Sequence, residues 1–152
     1  MNLFQSVHQC SDRDLIVPVT LATLRRPRRR DTRQVTFIYH IATAVAWAQA
    51  QRDGQYTIST RDRTLAEEGF IHASTAPQVA RVANAFYQGA PDLLLLVIDP
   101  DRVDSEVRYE PVPGHDLPYP HIYGPLNLSA VVQTRPFAPA PDGHFSFDPS
   151  AG

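Results

Sequence analysis

The run Leu93–Ile98, with sequence LLLLVI, constrains the fold more than any other segment of the chain. Six consecutive apolar residues followed by Asp99 and Pro100 are too few for an average buried helix, and they lack the alternation of a strand with one wet face. The run therefore predicts a strand that is buried on both faces. Such a strand lies in the centre of a sheet.

The remaining strands are predicted from short segments rich in β-branched and aromatic residues. They are residues 36–41, 69–74, 107–110 and 130–137, with a further short strand possible at residues 56–58. Together with the helices described next, these segments predict one α+β domain.

Two helices have clear boundary signals. The first begins after Thr43 and ends before Gly54. The second begins after Thr75, with Gln78 in the capping-box position, and stops by Gly89. Apolar side chains spaced by three and four residues predict its buried stripe, which comprises Val79, Val82, Ala83 and Phe86. Leu65–Glu68 is predicted to form at most one helical turn.

Length and charge divide the chain into three parts. The 152 residues suffice for one core, which we assign to a domain at residues 36–137. Residues 1–35 form a basic extension that we expect to be disordered, since they hold seven of the 14 arginines and three of the 16 acidic residues. Residues 138–152 form a Pro-rich tail.

Composition narrows the possible setting and partners. The single cysteine, Cys10, permits no intramolecular disulfide, and no apolar stretch approaches the ~18 residues of a membrane span. A secretory signal pattern is also missing, so we expect a cytoplasmic protein without a membrane partner. Because the domain itself is acidic, nucleic-acid binding by it is not expected.

Three strand-like segments carry a histidine each, namely His40, His72 and His121. Alternate residues of a strand share a face, so His72 lies beside Ser74, and His121 beside Tyr123. The apolar neighbours of each histidine suggest strands that are anchored in the core and present a polar side chain to a cleft. The alternative is that each histidine is a hydrogen-bonded structural residue.

The sequence signatures of other chemistries are missing or incomplete. Three histidines suffice for a catalytic zinc site, but neither His-x-His nor His-x-x-x-His occurs in the chain. The nucleophile elbow Gly-x-Ser-x-Gly and a glycine-rich phosphate loop are missing as well. No metal cofactor is therefore expected.

Five motifs follow one another along the chain: Tyr39-His40-Ile41, EGFIHAS at residues 68–74, LLLVIDP at 94–100, VRYE at 107–110 and PHIYGPL at 120–126. Taken in this order, they resemble a bacterial family known as domain of unknown function 952. The resemblance covers residues 38–136. The family is grouped with the ADP-ribosyltransferase-like proteins, which implies a split, mostly antiparallel β core with two main helices and a cleft for NAD.

The resemblance also implies roles for particular residues. His40 and Ser74 would hydrogen-bond the two riboses of NAD, and Tyr39 or Tyr123 would stack on nicotinamide. His72 and His121 would contact the pyrophosphate or act as general acid and base, since histidine titrates near neutral pH. Many related proteins carry a late catalytic glutamate that this chain lacks at the third motif. Glu110 and Glu68 are the nearby candidates for that carboxylate, and we assign the catalytic role to Glu110.

The resulting hypothesis is an NAD-binding, ADP-ribosyltransferase-like enzyme that cleaves or transfers from the bond between nicotinamide and ribose. Its partner would be a small-molecule nucleotide, with the acceptor left open. Two alternatives remain: a nucleotide-binding or interaction module without chemistry, and a hydrolase that binds a metal through its histidines.

Overall fold

The computed structural model describes residues 34–151, so the basic extension up to residue 33 lies outside the described residues. The described part forms ten strands, three α-helices and two 3₁₀ turns. In chain order they are β1 (Ile38–Thr43), α1 (Ala44–Asp53), β2 (Gln55–Tyr56), β3 (Ile58–Thr60), β4 (Arg63–Thr64), α2 (Leu65–Glu68), β5 (Ile71–His72), α3 (Ala76–Phe86), β6 (Leu93–Ile98), a 3₁₀ turn (Pro100–Arg102), β7 (Glu106–Glu110), β8 (Tyr119–Tyr123), β9 (Leu126–Asn127), a 3₁₀ turn (Leu128–Ala130) and β10 (Val131–Phe137).

The apolar run at β6 is the central strand of a three-stranded antiparallel sheet, between β1 and β10. Its side chains alternate between two hydrophobic clusters. Leu96 and Ile98 face one cluster, while Leu95 and Val97 face the other. The prediction of a central strand buried on both faces is confirmed, and the physical reason is that each face of the sheet is covered by its own cluster.

A second three-stranded antiparallel sheet consists of β5, β8 and β7 in that order. Ile71 of β5 and Val107 of β7 both pair with Ile122 of β8, so these three side chains share the face that packs against the first cluster. The opposite face of this sheet is polar and carries His72 and His121. In the first sheet, by contrast, both faces of the central strand are covered by apolar clusters.

The two sheets meet at one isolated bridge. Tyr39 of β1 exchanges two backbone hydrogen bonds with Ser74, of 2.8 and 2.7 Å. One residue earlier, the Ala73 N–H donates to the Pro120 carbonyl at 2.9 Å. The segment after β5 thus crosses from the second sheet to the first. It places the polar face of the second sheet beside β1, which is an edge strand of the first sheet.

Both main helices begin at the predicted residues. The Thr43 hydroxyl accepts from the Ala46 N–H at 3.1 Å, and α1 ends at Gly54, whose φ of 84° glycine adopts without strain. At the start of α3, the Thr75 N–H donates to the Gln78 side chain at 2.8 Å. The Gln78 amide also donates to the Pro118 carbonyl at 3.0 Å, which fixes α3 to the loop before β8.

The fold class is α+β with mostly antiparallel sheets and three helices, as predicted at this level. The expected stripe on α3 was only partly right. Val79 and Ala83 are fully buried, but Phe86 is 69% exposed. Phe86 is the last residue of the helix and lies on the side of α3 that lines a cavity. Among the described residues, no helix is long and apolar enough to cross a membrane.

The segment after Phe137 has neither helix nor strand, yet part of it packs on the domain. Phe145 is 4% exposed and joins the cluster beneath α3. The Asn84 side chain donates to the Phe145 carbonyl and accepts from its N–H, both at 2.9 Å. Phe147 meets Tyr39 edge to face, with ring centroids 4.9 Å apart. The segment therefore supports both α3 and β1.

Candidate functional site

A cavity of about 660 Å³ lies where the two sheets meet beneath α3. Residues of β1, β5, β8, α3, the β3–β4 turn and the loop between β7 and β8 line it. We call it the main cavity. Its volume lies within the range of small-molecule sites. His40, His72 and His121 all line it, so the structure brings the three predicted histidines around one space.

His72 and His121 form the centre of the polar sheet face. They are direct register partners on β5 and β8, and their ring centroids are 5.2 Å apart at 88°. Phe70 stacks on the His121 ring at 4.2 Å and meets the His72 ring edge to face at 4.7 Å. The phenyl ring thus shields one side of both imidazoles and restricts their orientation.

Glu110 is hydrogen-bonded to Nδ1 of His121. Its Oε2 lies 2.6 Å from Nδ1 of His121 and accepts a second hydrogen bond, of 2.7 Å, from the Tyr123 hydroxyl. These hydrogen bonds, first that of Tyr123 and then that of His121, lower the pKa of Glu110, so its carboxylate is ionised at neutral pH. Because a carboxylate only accepts, Nδ1 of His121 carries a proton.

This arrangement leaves Nε2 of His121 available to a ligand. Within residues 34–151, Nε2 makes no hydrogen bond, and the side chain is 8% exposed while lining the main cavity. An imidazole that is held at Nδ1 by a carboxylate presents an Nε2 lone pair suited to a general base. His72 lies beside it, and burial, followed by the neighbouring His121, lowers the pKa of His72.

Tyr123 supports the hydrogen-bonded pair of Glu110 and His121 from outside the main cavity. Its ring lies under the Arg108 guanidinium, 4.3 Å from centroid to carbon, and Arg108 also binds Glu106 at 2.7 Å. Tyr123 is not among the residues that line the cavity. Its hydrogen bond to Glu110 raises the pKa of the Tyr123 phenol, which therefore remains a donor.

His40 is buried and engaged on both sides of its ring. Nδ1 lies 2.6 Å from the His72 carbonyl and must donate to it, and Nε2 lies 2.9 Å from the Tyr56 hydroxyl. Burial lowers the pKa of His40 to about 4 and outweighs the opposing effect of the bond to the His72 carbonyl. The ring is therefore neutral, and Nε2 accepts from Tyr56. In this arrangement His40 fixes the backbone of His72.

Tyr39 and Ser74 lie at the junction of the sheets. Both are buried and both line the main cavity. The Ser74 hydroxyl makes no hydrogen bond inside the described part of the chain, so it is available to a ligand. Tyr39 is held by Phe147 on one side, and burial raises the pKa of its phenol.

No sequence motif predicted that three arginines line the main cavity. They are Arg61 and Arg63 of the β3–β4 hairpin, with Asp62 between them, and Arg81 of α3, and His115 of the β7–β8 loop lies in the same lining. Arg63 pairs with Glu68 at 3.3 Å, and Arg81 donates to the Gly114 carbonyl at 3.3 Å. These residues come from a turn, a helix and a loop with no shared motif. Only their convergence in space could have identified them.

A metal centre is a poorer fit to these side chains. Within residues 34–151 no group of three or more His, Cys, Asp or Glu residues is arranged to hold a metal ion. Binding through His40 would first require breaking its bond to the His72 carbonyl or to Tyr56.

Comparisons with known proteins identify relatives of unassigned activity. The crystal structure of protein CC0527 from Caulobacter crescentus is 30% identical, with a TM-score of 0.65, and the match covers 73% of this chain and 94% of that one. A double mutant of CC0527 and its solution NMR structure give TM-scores of 0.64 and 0.61 at the same identity. No curated protein matches the chain.

The match to a family covers most of the domain. The model of the family described as "Protein of unknown function (DUF952)" matches residues 41–134. This span begins at the fourth residue of β1 and ends in the middle of β10. All the polar groups around the main cavity, apart from Tyr39 and His40, fall inside that span. The chain therefore belongs to the DUF952 family.

Proposed function

We propose that the chain is an NAD-using enzyme of ADP-ribosyltransferase-like fold, which binds its substrate in the main cavity. The observation that carries the proposal is the 2.6 Å contact between Glu110 and Nδ1 of His121, with Nε2 left to a ligand. A general base aligned by a carboxylate suits the removal of a proton from an acceptor. A purely structural histidine would have both nitrogens engaged, as His40 has.

The proposed reaction is substitution at the anomeric carbon of the nicotinamide ribose. The bond from this carbon to the nicotinamide nitrogen breaks, and its electron pair leaves with nicotinamide, which departs neutral. An acceptor hydroxyl or water forms the new bond to carbon, and its proton passes to Nε2 of His121. Glu110 stabilises the imidazolium that results. With water as acceptor the products are ADP-ribose and nicotinamide.

The remaining residues are assigned to binding and support. Arg61, Arg63 and Arg81 would receive the pyrophosphate, since guanidinium groups bind phosphate oxygens in paired hydrogen bonds. Ser74 would bind a ribose hydroxyl. His40 is assigned a positioning role through the His72 carbonyl, and Tyr123 orients Glu110 instead of stacking on nicotinamide. Tyr39 is the aromatic residue that remains for that contact.

The test is nicotinamide release from NAD by the full chain, measured by chromatography, together with NAD affinity from calorimetry. We expect His121→Asn to lose about 10²-fold or more in turnover while NAD affinity changes little. The matched control is His144→Ala, which changes an exposed histidine that does not line the main cavity. Turnover that is the same in His121→Asn and wild type would exclude the proposed base.

The other candidate classes predict different results in the same assay. Tight NAD binding without nicotinamide release over hours would indicate a non-catalytic nucleotide-binding module. A turnover that requires added zinc and is lost with a chelator would indicate the metal-dependent hydrolase. We also propose a cytoplasmic setting, because the single cysteine of the chain suits a reducing compartment.

A further inference from the structure

Phe86 is the most unusual apolar side chain around the main cavity. It is 69% exposed, although its side chain is large and the helix that carries it is otherwise well packed. Isolated exposed apolar residues are common on protein surfaces and need no special reason. However, of the five most exposed large apolar side chains in residues 34–151, Phe86 alone lines the main cavity.

Phe86 lies further along α3 than the residue of this helix that contacts the β7–β8 loop. Arg81 contacts that loop at Gly114, and Phe86 follows five residues later. With a rise of about 1.5 Å per residue, the two lie roughly 7.5 Å apart along the helix axis. The cavity wall formed by α3 therefore has a cationic part and, one and a half turns further on, an aromatic part.

The backbone beneath Phe86 is held in place. The next residue, Tyr87, is buried and its hydroxyl donates to the Ile41 carbonyl at 3.3 Å, which ties the end of α3 to β1. Asn84, two residues before Phe86, is bound to Phe145 through two hydrogen bonds. The backbone that carries the phenyl ring is thus already ordered. Binding of a planar ligand to the ring would therefore cost little backbone entropy.

The chemistry of the surroundings selects the kind of planar group. The β3–β4 hairpin adds Arg61 and Arg63, with Asp62 between them, to the same cavity. An aromatic ring next to guanidinium groups is the combination by which proteins hold a nucleobase together with its phosphates. A bare sugar phosphate would use the arginines and leave the phenyl ring in water.

We infer that Phe86 stacks on the adenine base of the nucleotide bound in the main cavity. The inference rests on the proposed function for the class of ligand. It adds a recognition element for adenine, which makes ligands with this base bind more tightly than those without it.

The test compares the affinities of ADP-ribose, AMP and nicotinamide mononucleotide for the full chain by calorimetry. We expect Phe86→Ala to weaken ADP-ribose and AMP by about fivefold or more, the low end of the effect of removing one stacking ring. Nicotinamide mononucleotide should bind as before. Phe86→Trp should retain or improve the binding of AMP because it restores a stacking surface.

Tyr109→Ala is the matched control, since it removes another exposed aromatic ring that does not line the main cavity. Circular dichroism melts of each variant verify that the fold persists. If wild type binds ADP-ribose and Phe86→Ala binds it equally well, the inference about Phe86 is overturned and the proposed function stands. If wild type binds none of the three ligands, both are overturned.

Discussion

Glu110 and His121 are hydrogen-bonded although they are not register partners in the sheet. The residue opposite Glu110 on β8 is Tyr119, while His121 lies opposite Arg108. The Glu110 carboxylate therefore reaches diagonally across the strand pair, where side chains two residues apart remain within reach of each other. It ends between His121 and Tyr123 and binds both.

This relationship predicts the effect of removing the charge of Glu110. We expect Glu110→Gln to lower NAD turnover by about 10²-fold, because the imidazolium of His121 would lose its counter-charge and its fixed orientation. Binding of NAD should change by less than a few-fold, since Glu110 does not line the main cavity. Steady-state kinetics of nicotinamide release, with kcat and KM determined separately, provide the measurement.

Glu106→Gln is the control for this prediction. Glu106 lies on the same strand and pairs with Arg108, so its loss removes a carboxylate without touching His121. A drop in kcat of equal size in both variants would mean that the general charge of β7 matters, and not the contact with His121.

The low pKa of His40 predicts that the folded state loses stability in mild acid. His40 has a pKa of about 4 in the folded protein against an ordinary value of 6.5, so between these values the unfolded chain binds the proton and the folded chain does not. The free energy of unfolding should therefore fall as the pH decreases from about 6.5 to 4. The loss in the free energy of unfolding reaches about 3 kcal/mol near pH 4, and His40 causes no loss above pH 7.

Urea unfolding at several pH values between 7.5 and 4.5 measures this effect. A His40→Gln variant should show a shallower dependence on pH, although the lowered pKa of His72 contributes in the same direction. Parallel curves for the variant and wild type over this range would show that His40 titrates normally and would contradict the buried neutral ring.

The hydroxyl of Tyr56 is predicted to contribute to stability through His40. Tyr56 is 1% exposed and donates to Nε2 of His40 at 2.9 Å, so Tyr56→Phe leaves a buried acceptor without a donor. We expect a loss of about 1–3 kcal/mol in the free energy of unfolding. Tyr109→Phe, at a half-exposed position, should change it by less than about 0.5 kcal/mol.

Urea unfolding measures these differences. A shift of the midpoint at an unchanged m-value shows that the substitution changed the stability alone. If Tyr56→Phe proved as harmless as Tyr109→Phe, the hydrogen bond between Tyr56 and His40 would not contribute to the stability of the fold.

Asn84 is predicted to hold the C-terminal segment on α3. Its side chain makes both hydrogen bonds to the backbone of Phe145, so Asn84→Ala should leave these two groups unpaired. Hydrogen exchange at residues 143–147 should become faster by about tenfold, and stability should decrease by about 1–2 kcal/mol.

Gln49→Ala serves as the reference, since Gln49 lies on α1 and its hydrogen bonds are exposed. Unchanged exchange at the Phe145 amide in Asn84→Ala would indicate that the apolar contacts of Phe145 alone fix the segment.

The local predictions succeeded where the signal depends on near neighbours in the chain. The apolar run of β6 and the start of α3 at Thr75 are examples, since burial on both faces and capping are written into consecutive residues. Phe86 fits the same helical pattern but is exposed, because the spacing of apolar residues does not show that a cavity lies beside the last turn of α3.

The sequence by itself determined an α+β domain, its central strand and the ends of its main helices, and it named His40, His72 and His121 as candidates for one cleft. Those features follow from periodicity and capping, which act over a few residues. Strand register decided that Glu110 reaches His121, and the packing of α3 over the sheet junction decided which arginines line the cavity. These contacts join residues far apart in the chain, and their free energy depends on how the whole domain closes, so only the tertiary structure reveals them.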